Sequence, residues 1–272
     1  MHEKLKLFTQ ERVSWEERSQ KAQKSTPLKT LSILPKMVGI TKKTAKLLRA
    51  KALFYLIKED KNKVFLRFFF KKPFFYALKL LRSYRKKQSF TKSGDFFFYG
   101  IQDEKSFCQE VAHKDALLLL GFSYCHKPHE CPSGRFTDAC QNDLTSPVCN
   151  QCFIGKCSYL ARNTKAQILY IPTIHYIGEK IFEAVHNNPN RPVFFVITAC
   201  EMTLALFGDW GNMVQARGIG VRLDGRICNT MKAFELSEKG IKPGLTVVLN
   251  DTQERILQLI QNWNKDVCDE TV

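Results

Sequence analysis

The chain lacks any apolar run of eighteen residues, so hydropathy gives no membrane span. Its most apolar stretch, "VFLRFFFKKPFFYALKLL" (64–81), is broken by Arg67, Lys71, Lys72 and Pro73. Internal repeats and low-complexity tracts are also lacking, which excludes a solenoid or a linker-like chain. The first residues, "MHEKLKLFTQERVSWEERSQ", have no apolar centre and carry acids, unlike a secretory leader. Acidic residues are scarce in the front of the chain. Residues 1–100 hold 25 Lys+Arg against 7 Asp+Glu, a charge of +18, whereas residues 101–272 hold 17 against 19, or −2. A basic front beside a near-neutral back points to phosphate or an anionic surface as the front's partner.

What is present is a core and an excess of thiols. Hydrophobic residues make up 44% of 272, enough for one large domain or two modest ones. Ten cysteines, without a leader, are expected in a reducing, cytoplasmic setting, where thiols serve as ligands or reactive groups more often than as disulfides.

Two regions are expected. Residues 1–96 read as a basic, mostly helical region, with a helix over "KTAKLLRAKALFYLIK" (43–58) and a pair of helices over 64–87. In that pair Phe65, Phe68, Phe69, Phe70, Phe74, Phe75 and Tyr76 alternate with Lys and Arg. The plain reading is a helix pair with Phe inward and cations in solvent. An interfacial anchor on an anionic membrane is the first functional reading, and nucleic-acid binding ranks below it. After "KSGDFFFYG" (92–100) the pattern changes. Apolar strand candidates at 116–124, 167–173, 192–199, 218–223 and 244–250 alternate with helical patterns at 177–187, 201–210 and 252–263. Residues 106–272 therefore read as an α/β domain with a mainly parallel sheet, crossover helices and a cysteine-rich insert.

Ligands in such sheets bind beyond the carboxyl ends of strands. The first strand candidate runs into Cys125 and His126, the second into His175, the third into Cys200 and Glu201. The fourth is followed by Cys228, Asn229 and Thr230. Six thiols, Cys125, Cys131, Cys140, Cys149, Cys152 and Cys157, follow the first strand within thirty-three residues. The spacing Cys149-x2-Cys152-x4-Cys157 suits an iron–sulfur cluster or zinc if the chain turns at Gly155, with the earlier cysteines completing the set. Glu201 is the candidate proton carrier and Cys200 and Cys228 the candidate reactive thiols. His175, Asn229 and Thr230 are candidates for holding a cofactor. The alternative is a non-catalytic binding module tied together by zinc.

Four ordered pieces, "ALLLLGFSYC", "CNQCFIGKC", "VFFVITACEMTL" and "RICNTMKAFEL", resemble the cysteine-rich proteins of domain-of-unknown-function family 116. The resemblance covers about residues 110–250. It marks Cys125, Cys149, Cys152, Cys157, Cys200, Glu201, Cys228, Asn229 and Thr230 as site residues. The chain departs from the family pattern in having Ser123-Tyr124-Cys125 for Pro-His-Cys and Arg226-Ile227-Cys228 for Gly-Pro-Cys, and in having Asn229 directly after Cys228. The family has no assigned reaction, so the resemblance implies a site and not an activity.

Overall fold

The computed structural model describes residues 15–28, 39–113, 115–162, 164–242 and 244–263. It is a mixed α/β fold around a six-stranded, mostly parallel sheet. The strands are β1 (Thr91–Ser93), β2 (Phe96–Tyr99), β3 (Leu117–Ser123), β4 (Gln167–Ile171), β5 (Val193–Ala199) and β6 (Arg217–Arg222), in the order β1-β2-β6-β5-β3-β4. The pairs β6–β5, β5–β3 and β3–β4 are parallel, and the β1–β2 and β2–β6 pairs are antiparallel. Parallel strands covered on both faces need apolar residues at every position. β5 shows this by alternation: Phe195, Ile197 and Ala199 enter one core, Phe194 and Val196 the other.

Ten helices matter to the argument. On the first face lie α3 (Leu48–Lys58), α4 (Val64–Phe69), α5 (Pro73–Arg85), α9 (Ile174–Asn187), α10 (Glu201–Val214) and α11 (Met231–Ser237). On the second lie α6 (Glu104–His113), α7 (Pro147–Gln151), α8 (Phe153–Ala161) and α12 (Asn250–Trp263). Two further helical pieces are α1, over residues 15–25, and α2 (Lys42–Ala45). Trp15 of α1 packs on Tyr159 of α8.

The front of the chain is built into this body. Phe65 meets Trp210 of α10 with ring centroids 4.0 Å apart, and Phe68 stacks on Phe182 of α9. Each such aromatic burial is worth about 1.5–3 kcal/mol. Arg49 of α3 clamps Asp209 of α10 through both carboxylate oxygens, at 2.8 and 2.5 Å, and its guanidinium also donates to the carbonyls of Ser83, Tyr84 and Lys86 at the end of α5. The boundary read from sequence at 96–106 thus cuts across the sheet. β2 pairs with β6, because "FFFY" (96–99) is buried on both sides and serves as a strand where the sequence reading placed a linker. The fifth strand expected at 244–250 is another difference. Only Thr246–Val247 are extended (β8), and they pair with Asp224–Gly225 (β7) in a separate ribbon.

Strand order fixes where a site can form. The chain leaves β3 for β4 through α7 and α8 on the second face, and leaves β5 for β6 through α10 on the first. Between β3 and β5 the connections part, leaving a crevice at the carboxyl ends of Ser123 and Ala199.

Candidate metal and thiol centres

Two thiol groups form near that crevice, and they divide the cysteines differently from their order in the sequence. All nine cysteines among the described residues are free thiols; Cys268 lies outside them.

The first group is built on the segment between β3 and β4. Lys127, almost fully buried after the 3-10 turn Tyr124–His126, donates from Nζ to the carbonyls of Thr137 (2.9 Å), Ala139 (2.7 Å) and Gly134 (3.4 Å). One ammonium thus folds residues 128–140 into a loop. Ser146 caps α7 and Pro147 opens it, which sets Cys149 in the helix. Cys152 is the N-cap of α8. Gly155 approaches the Cys149 carbonyl so closely that a Cβ would come within 2.6 Å of the oxygen. The outcome is that Cys131, Cys140, Cys149 and Cys152 line one cavity of about 20 Å³ beside Lys127. Burial raises the Cys140 thiol, and it pushes Cys152 up to about 12 against the N–H groups of Gly155 and Ile154. Burial also lowers the Lys127 ammonium, opposed by Cys131, Cys140 and Cys152.

Cys157 does not join this group. The turn expected at Gly155 does not occur, because α8 runs unbroken from Phe153 to Ala161. Five residues carry a helical side chain about 140° around the axis. The Cys157 thiol therefore points into the core with Ile154 and Leu160, where burial raises its pKa well above the usual range. Cys125 also goes elsewhere.

The second group sits at the crevice. Cys125 follows β3, Cys200 is the N-cap of α10 after β5, and the two line a second small pocket with Ser123, Thr203, Ser237 and Glu238. The Cys200 thiol is hydrogen-bonded to Cys228 and lies 3.3 Å from Thr203 Oγ1. Lys242 Nζ donates to Cys228 Sγ at 3.4 Å. The Cys200 thiol first, then the Lys242 charge, hold Cys228 well below the ordinary thiol range despite burial; Cys200 is pushed up by the same hydrogen bond and by burial. The pair therefore carries one thiolate, on Cys228, and one proton, on Cys200. Burial works against the Lys242 charge, yet Cys125, Cys228 and Cys200 raise its pKa overall. Arg135 joins the two groups, donating to the carbonyls of Cys125, Lys242 and Gly244.

Glu238 borders the same pocket. Burial pushes its carboxyl up to about 8, against the N–H of Ile174, which donates to it at 2.8 Å. Glu238, Thr173 and Ile174 are shared with a larger cavity of about 360 Å³, lined by Tyr55, Phe182, Trp210 and His175 among others.

The remaining candidates have other tasks. The Glu201 carboxylate takes Lys92 Nζ at 2.7 Å and the Ile40 N–H at 3.2 Å, with Arg222 Nε at 3.6 Å, and it does not line the Cys200 pocket. Thr230 caps α11 by accepting from Ala233 N. The Asn229 carbonyl accepts from Thr44 Oγ1. His175 Nε2 lies 3.2 Å from Leu56 O, with its ring on Tyr55. His126, driven down to about 3 by burial and by Lys127, is neutral and bonded to Thr198 Oγ1. Sequence reasoning missed Lys127, Glu238 and Lys242. Nothing local marks them, since each acquires its role from a neighbour brought in by the fold.

Among the described residues no three or more His, Cys, Asp or Glu side chains are grouped so as to hold a metal ion as they stand. The donor chemistry of the first group nevertheless fits one. Four sulfurs are the donor set of zinc and of iron–sulfur centres, and a cation beside them offsets the charge of four thiolates. A space of about 20 Å³ has room for a single ion or water-sized body. A cluster requires the Lys127-tied loop to move outward. No family model matches the chain, and no curated protein or solved structure is significantly similar to it, so the resemblance to family 116 rests on its ordered motifs alone.

Proposed function

We propose that this is a metal-binding thiol protein. In this reading Cys131, Cys140, Cys149 and Cys152 bind a soft metal, and the Cys228–Cys200 pair beside it performs redox or nucleophilic thiol chemistry. The observation that carries the proposal is the convergence of four cysteines, from the 128–140 loop, α7 and the start of α8, on one cavity. The metal would order the segment between β3 and β4, and with it the Arg135 contacts to the second group. Lys242 keeps Cys228 in its nucleophilic form, and Glu238, protonated at neutral pH, is the proton source at the pocket. The 360 Å³ cavity adjoining Glu238 fits the body of a small, largely apolar substrate.

Two metals are compatible with four thiolates. The cavity size favours zinc in a structural role, and an iron–sulfur cluster would make the centre itself redox-active. Anaerobic purification followed by metal and sulfide analysis and a visible spectrum separates them. Brown protein with iron and sulfide supports the cluster, and colourless protein with stoichiometric zinc supports the structural ion. Protein with neither metal, and with all four thiols freely titratable, overturns the proposal.

A further inference from the structure

Between Lys61 and Gly94 the chain has eleven Lys or Arg and no acidic residue. Within this stretch α5 is apolar on two sides. Its inner side sets partly buried Tyr76 and Leu80 and fully buried Ser83 toward the core, where α5 packs along α10. Ser83 Oγ donates to Asp209 at 2.6 Å, beside the Arg49 clamp. A surface helix ordinarily ends its apolar surface there. α5 instead carries a second stripe at i, i+4 and i+7. Phe74 is 90% exposed, Leu78 48% and Leu81 51%, with Phe75 at 42% beside them and Phe70 at 67% just before the helix. Single exposed apolar side chains are ordinary, but five neighbours on one rigid element form a patch. Exposed cations border it: Lys71, Lys72, Arg82, Arg85, Lys86 and Lys87.

We propose that α5 and the preceding turn lie flat in the interface of an anionic phospholipid bilayer. Phe70, Phe74, Phe75, Leu78 and Leu81 enter the acyl boundary, and the bordering Lys and Arg meet the headgroups. Charge complementarity selects this occupant. A basic amphipathic helix of non-spanning length is the form that binds such a surface from one side, drawing on apolar burial and headgroup attraction together. Among the described residues no helix is long and apolar enough to cross a membrane. A second copy of the same face would set cation against cation. Nucleic acid would use the cations and could stack on Phe, but Leu78 and Leu81 have no ring for a base to stack on.

The test is co-sedimentation of the full chain with phosphatidylcholine vesicles, with and without phosphatidylserine, at physiological salt. Phe74→Ser combined with Leu78→Ser leaves the charge unchanged and removes only exposed groups, so its thermal unfolding should match that of the wild type. The expected result is binding only to the anionic vesicles, weakened roughly tenfold or more by the double substitution. Arg82→Gln with Lys86→Gln should weaken it as well. Absence of binding to the anionic vesicles overturns the proposal, as does binding that the Phe74/Leu78 variant leaves unchanged. Salt-steep binding to single-stranded RNA without vesicle binding reassigns the face to nucleic acid, and self-association abolished by Phe74→Ser reassigns it to a second copy. None of these readouts depends on the metal centre.

Discussion

The ammonium of Lys242 lies 3.4 Å from the sulfur of Cys228, and no element of regular structure holds both residues. The contact forms because Cys228 precedes α11 and the chain returns after that helix, where Arg135 accepts its place by donating to the carbonyls of Lys242 and Gly244. Its consequence is chemical: it adds a positive charge beside the one thiol of the crevice that ionises readily.

Lys242→Met should therefore raise the pKa of Cys228. The measurement is the pH dependence of alkylation by iodoacetamide, followed residue by residue by mass spectrometry. The midpoint for Cys228 should move upward and its rate near neutral pH should fall by about tenfold, one pKa unit being about 1.4 kcal/mol. An unmoved profile would show that the Cys200 hydrogen bond alone sets the ionisation.

Glu238 gives the protein a pH-dependent stability of definite sign. Its folded pKa, about 8, lies above the ordinary carboxyl value, so the folded state binds the extra proton between them. Its contribution is fully present at acid pH below the unfolded pKa and is lost as pH rises toward 8. Glu238→Gln keeps an acceptor for the Ile174 N–H and removes the titration. Denaturant unfolding across pH 5 to 8 should show a decline in the wild type, on the order of 1–2 kcal/mol, that the variant lacks.

The division of cysteines is testable by metal content. Cys131→Ser, Cys140→Ser, Cys149→Ser and Cys152→Ser should each reduce bound metal. Cys157→Ser should leave it intact while lowering stability by about 1–3 kcal/mol, because a hydroxyl would replace a thiol in an apolar core. Metal lost with Cys157→Ser in a folded protein would contradict the helical phase of α8.

Asp209→Ala should be among the most damaging single changes on the α10 side. It removes the partner of Arg49 and of Ser83 Oγ at once, and both partners lie at the junction of α3, α5 and α10. A loss of about 2–4 kcal/mol is expected from thermal or denaturant unfolding. Arg49→Lys should recover only part of the wild-type stability, since an ammonium cannot hold both carboxylate oxygens in the same fork.

Much of the fold was legible in the residues themselves. "ALLLLGFSY" and "PVFFVITA" are continuous apolar runs, as strands buried on both faces must be, and "IGEKIFEAVHN" and "TQERILQLIQNW" repeat at helical spacing; these are local properties of the chain. The thiol-rich segment and the basic front were likewise plain from composition. The two-residue ribbon at Thr246 and the buried strand Phe96–Tyr99 were not, because both depend on pairing with distant segments.

Tertiary structure decided which of these residues act together. The close spacing of Cys149, Cys152 and Cys157 invited a single ligand set, yet helix α8 turns Cys157 into the core, and the 128–140 loop supplies Cys131 and Cys140 in its place. Glu201, adjacent to Cys200 in sequence, turned to Lys92 and Arg222, whereas Glu238 came to the pocket from α11. In "FLRFFFKKPFF" the sequence shows that aromatics and cations alternate, but not which aromatics stay outside. Phe65 and Phe68 are taken up by Trp210 and Phe182, while Phe70 and Phe74 are left exposed. Periodicity fixes which side chains share a face of one element; what meets that face depends on packing between segments more than a hundred residues apart.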